Sequence, residues 1–121
     1  TPQETDIHRI HRDVASAVKE ALYHAEVGAY NAHSKGPISK IPHYYYESPK
    51  SDFTHRQGVM VCDISEYYEE KIKIFKESYP SQAIPPFTDW PEIKAEYWGL
   101  YNKFKHGEAF KPSGLANLLI K

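Results

Sequence analysis

Two hydrophobic periodicities alternate along this chain, and their alternation constrains its fold more than any other feature. From Asp6 to about Tyr30 apolar residues recur at spacings of three and four: Ile10, Val14, Ala17, Val18, Ala21, Leu22 and Ala25. That is one stripe of an amphipathic helix. Two short β-rich runs follow, His43-Tyr44-Tyr45-Tyr46-Glu47 and Gly58-Val59-Met60-Val61-Cys62. The second is apolar without a break, the pattern of a strand covered on both faces in a parallel sheet. Helical stripes then return, first with Ile64, Tyr68, Ile72 and Phe75, then with Ile93, Tyr97, Leu100, Tyr101 and Phe104. Two short strands do not make a stable sheet by themselves. The expected architecture is α/β, with helices over 6–29 and 64–78 flanking strands over 43–47 and 58–62, and the remaining strands lying elsewhere.

Local punctuation agrees with these boundaries. Asp6 precedes the first stripe as an N-cap, and Gly28 with the polar stretch 31–37 ends it. Ser48-Pro49-Lys50-Ser51-Asp52 breaks the first β run. Asp63-Ile64-Ser65-Glu66 has the spacing of a capping box. Ser78-Tyr79-Pro80 closes that helix, and a proline-rich loop runs through Ala83-Ile84-Pro85-Pro86-Phe87. Asp89-Trp90-Pro91-Glu92 opens a third helix with a cap, a first-turn proline and an acid. The tail from Gly107 to Lys121 has no clear periodicity, and no internal repeat or low-complexity segment is present.

The chain has 121 residues, enough for one modest domain. A net charge of −1 gives no electrostatic footprint for nucleic acid or an anionic membrane. No apolar run approaches the ~18 residues of a membrane span, and no signal peptide opens the chain. A single cysteine, Cys62, excludes an internal disulfide and fits a reducing, cytoplasmic setting. The chain begins Thr1-Pro2-Gln3 without an initiator Met, as after processing or at a boundary. Ten tyrosines and two tryptophans accompany a mean hydropathy of −0.66. Such amphipathic aromatics suit a surface half-buried against a partner segment, and equally a small independent domain.

The chemistry-bearing residues open the first helix. His8 and His11 stand three apart, and positions i and i+3 share a helix face. Both imidazoles can point into one site, and Asp6 can hold a ring N–H, as outer carboxylates do for metal-bound histidine. Other residues read more plainly. Tyr44, Tyr45 and Tyr46 either line a sugar pocket or pack as alternate residues of a strand. Glu66, Glu69 and Glu70 form a solvated face, and Cys62 reads as an inert core thiol. Trp90 and the Pro85-Pro86 loop form a surface connection or a substrate-side lid.

Four segments in order resemble the C-terminal half of the LmbE-like / PIG-L family of zinc-dependent N-deacetylases, along nearly the whole chain. They are Asp6, His8 and His11 followed by Asp13-Val14-Ala15-Ser16-Ala17-Val18; Pro42-His43-Tyr44-Tyr45-Tyr46-Glu47-Ser48; Val61-Cys62-Asp63-Ile64-Ser65-Glu66-Tyr67-Tyr68 with Lys71, Ser81 and Gln82; and Trp98-Gly99-Leu100 with Gly107-Glu108-Ala109-Phe110. The histidine element commonly reads His-Pro-Asp-His in relatives, whereas its interior here is Arg9-Ile10. The resemblance implies a Rossmann-like three-layer fold, helices flanking a mostly parallel sheet, of which residues 1–121 form one unit, the C-terminal half. It implies Zn²⁺ as cofactor and an N-acetylglucosamine-type amino sugar as substrate, with substrate-contacting residues unassigned. By position His11 matches the metal ligand, His8 the histidine that assists without binding metal, and Asp6 the group orienting one of them. The family's His-Pro-Asp-Asp motif, which carries two further ligands and the general base, is absent. It is expected before Thr1 or on another chain, so this chain alone is expected to be inactive.

Two further readings stand beside this one. Tyr101-Asn102-Lys103-Phe104-Lys105-His106-Gly107 also resembles the polar end of the last helix in HEPN-type helical domains, which act in RNA cleavage or as interaction modules. The other is a non-catalytic half-domain that completes a partner's sheet. A homo-oligomer is left open. A strand at Val59–Cys62 excludes the all-helical reading.

Overall fold

A computed structural model of the chain describes residues 1–27, 42–49, 51–53, 58–81, 83–84 and 89–113. Gly28, the expected loop 31–37, Lys50, Gln82, the Pro85-Pro86-Phe87 segment and the tail beyond Ser113 lie outside the described residues. The elements are α1 (Arg9–Val27), β1 (Tyr44–Tyr46), β2 (Met60–Asp63), α2 (Tyr68–Ser78), α3 (Asp89–Asn102) and β3 (Gly107–Pro112). The protein is therefore mixed α/β, with a small three-stranded sheet in the order β1-β3-β2. That architecture removes the all-helical reading. No helix among the described residues is long and apolar enough to cross a membrane. The backbone gathers into two compact units, Thr1–Val59 with Lys111–Lys121, and Met60–Phe110.

In the first unit, α1 covers part of the expected stripe, its Val18, Leu22 and Ala25, together with Ala15, and leaves the rest exposed. Ala15 is fully buried and Val18, Leu22 and Ala25 are half-buried, whereas Ile7, Ile10 and Val14 are exposed. The sequence carries two adjacent apolar lines at helical spacing, and this unit covers one of them. Beside β1, the Thr1 nitrogen donates to Tyr44 O at 2.9 Å and Tyr46 N–H donates to Thr1 O at 3.0 Å. One residue bonded to both flanks of Tyr45 is the pattern of parallel pairing. Ser113 N–H donates to His43 O at 3.0 Å. After β1 the chain turns through a mutual bridge, Ser48 N–H to Ser51 O at 3.1 Å and Ser51 N–H to Ser48 O at 3.0 Å.

In the second unit, β2 pairs antiparallel with β3, from Met60 opposite Phe110 to Asp63 opposite Gly107. This corrects the reading of 58–62 as a strand covered on both faces. β2 stands last in the strand order, and both Met60 and Cys62 are exposed, so Cys62 is not a core thiol. α2 meets expectation: Tyr68 and Ile72 are buried, with Ile64 packed against them and Ala95 of α3 completing the cluster. Glu66, Glu69 and Glu70 are exposed. Asp63 does not cap α2. Its Oδ1 accepts the Ser65 N–H at 3.0 Å and the Ser65 hydroxyl at 2.6 Å, a local turn ahead of the helix, which starts after Tyr67.

α3 turns a different face inward. Ala95, Trp98 and Gly99 are buried, whereas the expected stripe of Ile93, Tyr97, Leu100 and Tyr101 is exposed. Small residues win because the helix end lies against the following backbone. A Cβ on Gly99 would sit 2.8 Å from the carbonyl oxygens of both Phe104 and Lys105, and one on Gly107 would sit 3.0 Å from Gly99 N and 2.9 Å from Val61 Cγ1. The helix closes with Phe104 N–H donating to Gly99 O at 2.9 Å around Lys103, whose φ is +62°. That six-to-one bond with a left-handed residue is a Schellman close. His106 is buried and stacks on Tyr68, centroids 3.7 Å apart, with its N–H donating to Ser65 Oγ at 3.1 Å.

Two substitutions test this closure by urea unfolding. Lys103→Gly removes the left-handed penalty of a side chain and is expected to stabilise by about 1 kcal/mol. Gly99→Ala is expected to destabilise by about 1–3 kcal/mol, because its methyl meets backbone rather than yielding side chains. Equal stability of Gly99→Ala and the parent would refute the close approach.

Candidate functional site

Asp6 has no exposed surface at all. A buried carboxylate is tolerated only when donors surround it, and three do. His8 N–H donates to Oδ1 at 2.8 Å, His11 Nδ1 donates to Oδ2 at 2.9 Å, and the Ser48 hydroxyl donates to Oδ2 at 2.6 Å. Arg12 reaches back over the same turn, with Nη1 donating to Asp6 O at 2.8 Å and to Ile7 O at 2.9 Å. Asp6 does not cap α1, which begins at Arg9: its Oδ1 takes the His8 N–H in a turn ahead of the helix, and the carboxylate is the node joining that turn to the end of β1. Burial raises its carboxyl, but the hydrogen bonds from Ser48, His11 and the His8 N–H outweigh that and hold it below the ordinary carboxylate range.

The sequence placed His8 and His11 on one helix face, and their ring centroids lie 4.7 Å apart with planes at 33°. The two imidazoles are not equivalent. A carboxylate can only accept, so the proton between Asp6 and His11 is on Nδ1 and the Nε2 lone pair is left for a metal or a proton. The His11 side chain is 37% exposed, so that nitrogen is reachable. His8 is exposed, and its tie to Asp6 runs through its backbone rather than its ring. Arg9, which stands where relatives of the resembled family carry another residue, pairs instead with Asp13 at 3.7 Å on the exposed side of the helix.

Ser48 and Arg12 are the residues that sequence reasoning missed. Ser48 lies 42 positions from Asp6, so no periodicity or spacing rule connects them; its only local signal is a hydroxyl at a turn before proline. The tyrosine run serves the scaffold: Tyr45 Oη donates to Glu4 Oε1 at 3.2 Å, the same oxygen that Lys19 Nζ approaches at 3.0 Å. Burial, with Glu4 beside it, pushes the Tyr45 phenol up.

Among the described residues no group of three or more His, Cys, Asp or Glu side chains is placed to hold a metal ion. The donor chemistry fits one metal ligand, His11 Nε2, backed by a buried carboxylate. No protein-family model matches the chain, and no curated protein matches it.

Asp6 contributes to the acid response of this unit alongside Glu4, whose carboxyl the Lys19 and Tyr45 hydrogen bonds also hold down. The folded-state value of Asp6 lies below that of an unfolded aspartate, about 3.9, so the unfolded chain takes up the proton first as pH falls. The stability contributed by the node is fully present above about pH 4 and is lost as pH drops below it. Denaturant unfolding across that range is expected to show the loss in the parent and a shallower one in Asp6→Asn. At neutral pH, Asp6→Asn is expected to be about 1–3 kcal/mol less stable, because donors aimed at the carboxylate lose their acceptor. An identical acid slope in both proteins would move the effect to other carboxylates.

Proposed function

We propose that this chain is part of a zinc-dependent hydrolase that removes the acetyl group from an N-acetylglucosamine-type amino sugar. The observation that carries the reading is the buried Asp6 carboxylate on Nδ1 of His11, with the His8 ring beside it. That is how a metal-binding imidazole is commonly held: tautomer fixed, ring oriented, outer nitrogen presented. When bound, zinc supplies a water of lowered pKa and polarises the acetamide carbonyl.

The roles of this chain's own residues follow from that arrangement. His11 offers Nε2 as a ligand, and Asp6 keeps the Nδ1 proton in place. His8, free of the carboxylate, hydrogen-bonds the oxyanion of the tetrahedral intermediate or gives a proton to the departing amine. The remaining ligands and the general base come from a His-Pro-Asp-Asp segment, on this polypeptide or on another chain. The reading also carries a mostly parallel, Rossmann-like sheet, whose further strands would add to the antiparallel pair of β2 and β3; the parallel-type bonds of Thr1 beside β1 are in keeping with it. A cytoplasmic setting belongs to the same reading. The exposed line of Ile7, Ile10 and Val14 also favours a second reading, a half-domain that covers this face with a partner and performs no chemistry.

Zinc content and acetate release from N-acetylglucosamine compounds, measured on the protein together with that segment, separate the two. His11→Ala is expected to lose metal and activity together. His8→Ala is expected to keep its metal and to lose about 100- to 1,000-fold in kcat, the usual effect of deleting one oxyanion donor. Full zinc occupancy in His11→Ala overturns the assignment. Loss of zinc in His8→Ala instead exchanges the two roles.

A further inference from the structure

We infer that Ser48 is a positioning residue for His11, acting through Asp6. Of the three donors on the Asp6 carboxylate, His8 N–H and His11 Nδ1 belong to the same segment as Asp6 and move with it. Ser48 does not: it comes from the end of β1, 42 positions away. It alone of the three references the start of α1 to another element.

The contact is built to hold. At 2.6 Å it is a charge-assisted O–H···O⁻ bond, and Ser48 itself is 5% exposed. Its backbone is locked in the mutual bridge with Ser51, whose carbonyl also accepts Gln3 Nε2 at 3.0 Å. Glu47, one residue earlier, accepts the Phe53 N–H at 2.7 Å and closes the same turn. The Ser48 hydroxyl is therefore delivered from a hydrogen-bonded backbone.

The torsion that turns a carboxylate about its last bond is soft and roughly two-fold. Ser48 and His11 on Oδ2 and His8 N–H on Oδ1 hold the carboxylate plane at one setting of that torsion. Without the hydroxyl, the carboxylate keeps only the two donors of its own segment, and its plane is less tightly set. The Nδ1–H of His11 then loses a fixed acceptor, and the preference for that tautomer weakens.

The consequence for metal affinity rests on the zinc reading above; the consequence for the tautomer does not. The test uses the full chain for ¹⁵N spectra of the histidine rings, with His11 identified by His11→Gln. Zinc affinity is measured with Zn²⁺ alone, in competition with a chelator, on the protein together with its proposed partner segment. Ser48→Cys puts a slightly larger side chain with a much weaker donor in its place, Ser48→Ala removes the donor, and Ser48→Thr keeps it. The parent and Ser48→Thr are expected to hold His11 as the Nδ1–H tautomer. Ser48→Cys and Ser48→Ala are expected to shift its tautomer ratio several-fold toward Nε2–H and to weaken zinc by about tenfold, as loss of an outer-shell partner does. An unchanged tautomer ratio in a folded Ser48→Cys overturns the inference, whatever zinc does. A shifted ratio in a protein that binds no zinc upholds the positioning role and overturns the hydrolase reading.

Discussion

A carboxylate with no access to water is the constraint on which the first unit depends. Burying an ionised Asp costs several kcal/mol unless its lone pairs are filled, and those of Asp6 are filled from two distant stretches of chain. Satisfying it dictates where α1 begins, which way the His11 ring faces and where the turn after β1 must stop. The histidine pair inherits its geometry from that requirement. The His11 ring is set by that scaffold interaction, and the His8 ring lies beside it.

The second unit is held by a different kind of interaction. Among the described residues its buried side chains are Tyr68, Ile72, Ala95, Trp98 and Ala109, with His106 stacked on Tyr68. What positions the pieces is closeness of backbone rather than bulk of side chain, with Gly99 and Gly107 letting the end of α3 lie against the start of β3. A half-buried ion pair, Lys71 Nζ to Glu108 Oε1 at 2.7 Å, spans from α2 to β3. Partial exposure screens such a pair, so it adds little beside the packing.

Much of this was legible in the sequence. Helices over 6–29 and 64–78 and strands over 43–47 and 58–62 correspond to α1, α2, β1 and β2, because strong periodicity reports element type well. Facing was harder. In α1 and α3 apolar residues occupy more than one line, and the pattern alone does not say which line meets the core; in α3 the small line of Ala95 and Gly99 around Trp98 was the buried one. β3 escaped notice because Gly107, Glu108 and Lys111 have low strand propensity, and pairing within the sheet makes the segment extended. At the candidate site, Asp6, His8 and His11 declared themselves through local spacing. Ser48 could not, since its partnership exists only after the chain has folded back on itself.

The glycines at the end of α3 and the start of β3 carry a consequence for how this sequence can drift. A clash between two side chains can be relieved by trimming either, so such positions admit suppressors. A methyl on Gly99 meets the main-chain oxygens of Phe104 and Lys105, and one on Gly107 meets the main-chain nitrogen of Gly99 as well as the Val61 side chain. Shortening Val61 relieves only its own share. Every residue type carries the same backbone atoms, so no change of side chain elsewhere restores the lost space. Substitution at either position thus carries a backbone cost that a change of side chain elsewhere relieves only in part, and full relief asks for a shift in the path of the backbone itself.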